Sequence, residues 1–388
     1  MTGAVLVSAG EASGDRYAAG LVRVLRARFP QLEFFGCAGV EMRRAGVEPL
    51  VQAEALSVVG LLEVVHHIPR IYKEFRKLVA AARERRPVAA ILTDSPDFHL
   101  RLAAKIRPLG TPVFYFVAPQ VWAWREGRVR TIRRNVTELH CIFPFEEQWF
   151  RDRGVDAHYV GHPLARLVAA QSDRASFFTR HGLSVYQKLV TLCPGSRPEE
   201  ARRHLRVLGE TVGILTSTGG IQCMLALPEA ARESSAWSFA SEFGRSHGVP
   251  VVTGETWDAL AHSDVALPAS GTVTVEAALL GVPMVTYYRV NPASWWLGRR
   301  LVKAPYLSMV NLIAGQAVVP ELMQNEMRPE RLAQEVRALL DVEERRSAML
   351  AGIEHVKRLL QTGADPLEVS AGRISAALDA SMKKEVVR

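Results

Sequence analysis

Three acids in the first quarter of the chain have the side chains and the setting for proton transfer. Glu11 lies in Gly10-Glu11-Ala12-Ser13-Gly14-Asp15, directly after the apolar run Ala4–Ala9. Asp94 and Asp97 lie in Thr93-Asp94-Ser95-Pro96-Asp97-Phe98, directly after the apolar run that begins at Ala89. Both stretches read as the end of a strand and the start of a helix, where open α/β sheets carry their ligand groups. A carboxylate partly withdrawn from water can take a proton from an alcohol. Asp97 is therefore read as a general base and Glu11 as a group facing a substrate hydroxyl. Acids at such positions also serve as plain caps and turn formers; Asp94 is open to either reading, and Asp15 is read as complementing the helix dipole. The spacing of Gly10 and Gly14 is not that of a dinucleotide fingerprint, and two carboxylates would face the pyrophosphate there, which argues against an oxidoreductase.

Anion binding is written into two loops of the second half. In Cys193-Pro194-Gly195-Ser196-Arg197-Pro198, Gly195 lets backbone approach a ligand, Pro198 suits a first helical position, and Arg197 offers a planar fork to a diphosphate. In Ala269-Ser270-Gly271-Thr272, a small polar loop precedes a helix-forming run that Gly281 and Pro283 end. Such a helix start presents N–H groups and a positive dipole end to a phosphate. Glu276, one turn further in, is placed to accept hydrogen bonds from sugar hydroxyls. A capped helix packed on a sheet would have the same sequence. Trp122 and Trp124, beside Arg125, Arg128 and Arg130, either stack a sugar or base beside a phosphate, or plug a core under a basic surface.

These loops need a frame, and the chain supplies an alternation of strands and helices that argues for parallel sheets covered on both faces. The first-half strands are read as Ala4–Ala9, Glu33–Gly36, Ala89–Asp94, Pro112–Ala118 and Glu138–Phe143. After a polar connection, Gln171 to Gly182, come Lys188–Cys193, Ile221–Ala226, Pro250–Thr253, Asp264–Leu267 and Met284–Tyr288. A length of 388 residues with 48% hydrophobic and 23% charged residues fits two such domains. The four cysteines show no metal-ligand or disulfide spacing, which implies a reducing cytosol. No signal peptide and no membrane-spanning run is read. A net charge of +8 favours anionic partners.

Leu61 to Arg86 has an amphipathic pattern. Pro69 is read as starting a helix, along which Ile68, Ile71, Tyr72, Phe75 and Leu78 recur at three- and four-residue spacing. Cations surround the stripe, with few acids, as in a helix lying in an anionic interface. The segment is therefore read as docking on a membrane surface, although the stripe alone does not decide, since most amphipathic helices cover their own domain's core.

Taken in order, AGEASGD (Ala9–Asp15), SPDF (Ser95–Phe98), VWAWREGRV (Val121–Val129), VGHPL (Val160–Leu164), PGSR (Pro194–Arg197), ASGT (Ala269–Thr272), EAALLGVPMV (Glu276–Val285) and NLIAG (Asn311–Gly315) resemble lipid-A-disaccharide synthase. AGEASGD and VWAWREGRV are the specific motifs; PGSR and ASGT are common to many glycosyltransferases of the GT-B architecture. The resemblance implies an α/β fold of two Rossmann-like parallel-sheet domains facing across a cleft, with C-terminal helices. The acceptor domain would span 1–170 and the UDP-sugar domain 171–341, with helices 342–388 packing on the N-terminal domain or a partner subunit. The implied reaction joins UDP-2,3-diacylglucosamine to the 6-hydroxyl of 2,3-diacylglucosamine 1-phosphate, giving a β-1,6-linked disaccharide and UDP in lipopolysaccharide assembly. By resemblance, Asp97 and Glu11 are the essential acids, and Arg197, Glu276 and Asn311 contact UDP. No DxD-like pair stands beside Pro194–Arg197 or Ser270–Thr272, so no divalent metal is expected, and no cofactor is expected either. A homodimer formed through the C-terminal helices is implied, as is peripheral attachment to the cytoplasmic face of the inner membrane. A UDP-sugar epimerase of the same architecture is the rival enzyme reading. A basic nucleic-acid-binding protein is the non-enzymatic one, supported by net charge alone.

Overall fold

A computed structural model describes residues 3–53, 61–232, 234–291, 295–296 and 304–386. It divides into two compact units, Met1–Pro163 with Leu360–Arg388, and Leu164–Leu359.

The first unit is built on seven strands: β1 (Ala4–Ala9), β2 (Glu33–Ala38), β3 (Glu48–Gln52), β4 (Ala89–Thr93), β5 (Val113–Phe116), β6 (Glu138–Cys141) and β7 (Ala157–Tyr159). They pair in parallel in the order β3-β2-β1-β4-β5-β6-β7. Strand order reverses direction between β1 and β4, which opens a crevice at their carboxyl ends. The central strands are almost wholly buried and read as near-continuous apolar runs, broken by the buried hydroxyls Ser8 and Thr93. The strands not anticipated from sequence, β3 and β7, are the two edges, and β3 carries Glu48 and Pro49. Edge strands are short and tolerate charge and proline, so they lack the apolar signature.

The second unit holds β8 (Lys188–Cys193), β9 (Ile221–Leu227), β10 (Val251–Thr253) and β11 (Val265–Pro268), paired in parallel as β10-β9-β8-β11. Bridges Ala266–Met284 and Ala269–Tyr287 continue this sheet to β12 (Thr286–Tyr288) and β13 (Glu321–Met323). Here the order reverses between β8 and β11. All four cysteines are buried thiols.

The boundary between units falls at Pro163–Leu164, and 342–388 is not one element. Helix Glu343–Leu360 goes almost entirely with the second unit. Helix Pro366–Val386 goes with the first, where Arg28 pairs with Glu368 and Arg373 with Glu138. The stretch read as a connection is also part of the second unit. Asp173 caps helix Arg174–Arg180, and the Gln171 and Ser172 amides donate to the Asp258 carboxylate at 3.0 and 2.7 Å. No helix of the described residues is long and apolar enough to cross a membrane.

Candidate active site

The crevice between β1 and β4 brings the two acid-bearing loops together, because Ala9 and Thr93 are register partners. Glu11 is the exposed N-cap of helix Ala12–Arg28. The Asp94 carboxylate reaches across and accepts the backbone N–H groups of Gly10 at 2.9 Å and Glu11 at 3.1 Å. Burial pushes the Asp94 carboxyl up to about 7 against the lowering effect of these bonds. Asp15, read as a dipole complement, lies in the first turn of helix Ala12–Arg28 and has a second role. It is buried and accepts the N–H groups of Gly39, Glu41 and Met42, so it caps the following helix, Val40–Arg44.

Asp97, second residue of helix Pro96–Ile106, is exposed. The Arg125 Nη1 donates to both its oxygens at 2.9 Å, and Arg128 donates to one of them. The carboxylate is 65% exposed and Oδ2 accepts from Arg125 alone, so a lone pair stays open to a substrate hydroxyl beside the guanidinium contacts. The two tryptophans differ in their settings. Trp122 donates its indole N–H to buried Glu146 at 3.0 Å, whereas Trp124 is 45% exposed with the Arg125 guanidinium 3.9 Å above its ring.

In the second unit the two loops read from sequence as anion-binding leave adjacent strands: Cys193 and Pro268 are register partners, and the Ala269 N–H donates to the Cys193 carbonyl at 2.9 Å. Gly195, with φ +124°, Ser196 and exposed Arg197 precede helix Pro198–Thr216. The space a side chain on Gly195 would need is taken by the Glu200 carboxyl group, 2.6 Å from an added Cβ. Burial raises the Glu200 pKa, and protonation there would remove a charge that a diphosphate would otherwise meet. Ser270 donates its hydroxyl to the Leu307 carbonyl at 2.7 Å, and exposed Gly271 and Thr272 open helix Thr272–Leu279. Glu276 is half-buried on that helix and lies near the end of β8: burial pushes the Cys193 thiol pKa up, and the Glu276 charge adds to that shift. Gly281, at φ +73°, terminates the helix as its sequence predicts.

Asn311 departs from its expected role. Its side chain is buried: Nδ2 donates to Val319 and Glu321 at 2.9 and 2.8 Å, and Oδ1 accepts from Val318 and Val319 at 2.7 and 2.9 Å. With its amide saturated in this way, Asn311 braces the loop rather than reaching for UDP. Asn311→Ala is expected to cost about 2–4 kcal/mol by stranding buried partners, read as a lower denaturation midpoint. A fall in UDP affinity at unchanged stability would restore the direct role.

A family model described as lipid-A-disaccharide synthetase matches residues 5–373. The lipid-A-disaccharide synthase of Solibacter usitatus is 53% identical over 384 residues, covering 98% of each chain. The chain belongs to the lipid-A-disaccharide synthase family. Membership makes it a glycosyltransferase of lipid A biosynthesis. Among solved structures, the glycosyltransferase of kitacinnamycin superposes with TM-score 0.62 at 17% identity, covering 97% of this chain and 99% of that one. UDP-GlcNAc 2-epimerase from Neisseria meningitidis, bound to UDP-GlcNAc, does so with TM-score 0.63 at 10% identity, covering 92% and 98%. At those identities the likeness to epimerases is one of fold alone, the GT-B architecture, and the epimerase reading is set aside.

In this synthase-family chain the amphipathic helix runs Leu61–Arg85 with Pro69 inside it, so Pro69 does not start it. Leu78 is fully buried in the core, which corrects its assignment to an outer apolar face; Phe75 is partly buried against the same core. Ile71 is half-buried, Tyr72 is 60% exposed, and Ile68 lies outside the described side chains. A groove of about 640 Å³ runs along the outer face. Its apolar wall is Tyr72, Phe75 and Val79, and its cations are Lys73, Arg76, Lys77, Arg83 and Lys105.

Sequence reasoning passed over two buried histidines. His204 donates from Nδ1 to the Pro194 carbonyl at 2.7 Å and accepts the Arg289 N–H at Nε2, 3.1 Å away, tying the PGSR loop to the segment after β12. His99 does similar work between β1 and the SPDF loop. Neither stands in a periodic pattern that would have marked it.

Proposed function

We propose that this chain transfers a 2,3-diacylglucosaminyl group from its UDP derivative to the 6-hydroxyl of 2,3-diacylglucosamine 1-phosphate. The observation that supports the reading is that the loops singled out from sequence follow the two strands flanking each sheet's reversal: the acid-bearing loops after β1 and β4, and the loops of Gly195 and Gly271 after β8 and β11. Asp97 removes the proton from the acceptor hydroxyl, with Glu11 facing the same sugar. The hydroxyl oxygen attacks the anomeric carbon as its bond to UDP breaks, inverting that centre, and UDP leaves with the electron pair. Arg197 and the N–H groups around Gly195, Ser196, Ser270, Gly271 and Thr272 stabilise the diphosphate charge. Glu276 holds the nucleotide's sugar hydroxyls.

Both substrates carry acyl chains, and the groove along Leu61–Arg85 suits peripheral attachment to the cytoplasmic face of the inner membrane. Purified protein supplied with the two monosaccharides and excess chelator is expected to release UDP and a disaccharide monophosphate of the summed mass. UDP-sugar interconversion without acceptor would overturn the reading. Activity lost on chelation and restored by magnesium would overturn the metal-free mechanism.

A further inference from the structure

We propose that Asp94 and His99 are positioning residues for sugar transfer, locking the loop that carries Glu11 to the loop that carries Asp97. The proposal rests on the reading of those two acids given above. Asp94 and Ser95 are consecutive non-glycine residues in the left-handed region, at φ +57° and +39°. L-residues adopt that conformation at a cost and keep it only where their surroundings impose it.

Here three elements impose it. The Asp94 carbonyl accepts a hydrogen bond from His99 Nδ1 at 2.9 Å and another from the Tyr115 hydroxyl on β5. The Ser8 hydroxyl on β1 donates to His99 Nε2 at 2.7 Å. His99 is fully buried, and burial holds its pKa down at about 4, so the ring is neutral with its proton on Nδ1, the tautomer that satisfies both neighbours. On its other side Asp94 uses its carboxylate to hold the Gly10 and Glu11 amides. The glycines of AGEASGD complete the fit: a Cβ on Gly14 would lie 1.7 Å from Asp94 Oδ2, and one on Gly10 would lie 2.3 Å from Ser95 Oγ. The left-handed turn at Asp94 and Ser95 therefore sets both the backbone of Glu11 and the start of the helix whose second residue is Asp97.

Loss of about 1 Å in such placement lowers a rate by about 10²-fold. His99→Leu removes both hydrogen bonds at similar volume. His99→Asn keeps an N–H donor near the place of Nδ1. At a temperature where circular dichroism shows both variants folded, His99→Leu is expected to lower kcat by about 10²-fold, with UDP affinity unchanged because the nucleotide is held by the second unit. His99→Asn is expected to recover most of that loss. Should His99→Leu not fold, Ser8→Ala takes its place, with a smaller loss of kcat and again no change in UDP affinity. A folded His99→Leu or Ser8→Ala protein with wild-type kcat and only a lower melting temperature overturns the proposal, as does His99→Asn no more active than His99→Leu. If Asp97→Asn and Glu11→Gln both turn over normally, the reading of the acids fails instead, whatever His99 does.

Discussion

Asp97→Asn is expected to lower turnover by about 10²–10⁴-fold while leaving UDP affinity unchanged. The amide has the carboxylate's shape but cannot take the acceptor's proton. In the proposed reading UDP binding depends on loops of the other unit, so its affinity is the control. In the structure the Asp97 carboxylate is engaged by Arg125 and Arg128 and is 65% exposed, so the acceptor can approach it beside those contacts. Steady-state kinetics with both substrates and UDP titration of the folded variant make the measurement. Near-normal turnover would transfer the base role to Glu11. Asp94 is the weaker substitute, since both its oxygens already accept backbone N–H groups.

Replacing Lys73, Arg76, Arg83 and Lys105 together by glutamine is expected to weaken binding to anionic phospholipid vesicles by about a thousandfold, each cation near such a surface being worth about 1 kcal/mol. These four have no ion pair among the described residues, so their removal strands no partner and stability should hold. Lys77 is different, because Glu74 already holds it at 2.8 Å; Lys77→Gln should cost less binding than any of the four. Ile71, Tyr72 and Phe75 to serine is the apolar counterpart. Leu78 is excluded from it because serine there would open a cavity in the core. The binding should fall with added salt, as surface electrostatics do. Vesicle binding that survives the fourfold change would show that the groove faces water.

Local chemistry determined a good deal by itself. Buried parallel strands are dominated by apolar residues, so β1, β4 and β8 could be placed from their own residues, β1 and β8 to the residue. The stop at Gly281 followed from the one backbone conformation that glycine adopts freely. The family was also legible, because AGEASGD and VWAWREGRV are long and specific strings. Other features depend on partners far away in the chain. Strand order is one: nothing in residues 4–9 or 89–93 states that β1 and β4 are neighbours, yet that pairing puts Glu11 against Asp94. Burial of individual side chains is another. Leu78 and Tyr72 share one helical stripe by spacing, and only the packing of that helix on its domain sends one into the core and leaves the other in solvent. Asn311 matched a motif for contacting ligand, and its amide proved to be spent on Val318, Val319 and Glu321. Hydrogen-bond partners are chosen by tertiary placement, so residue type and spacing show what a side chain can donate or accept, and the fold decides to whom.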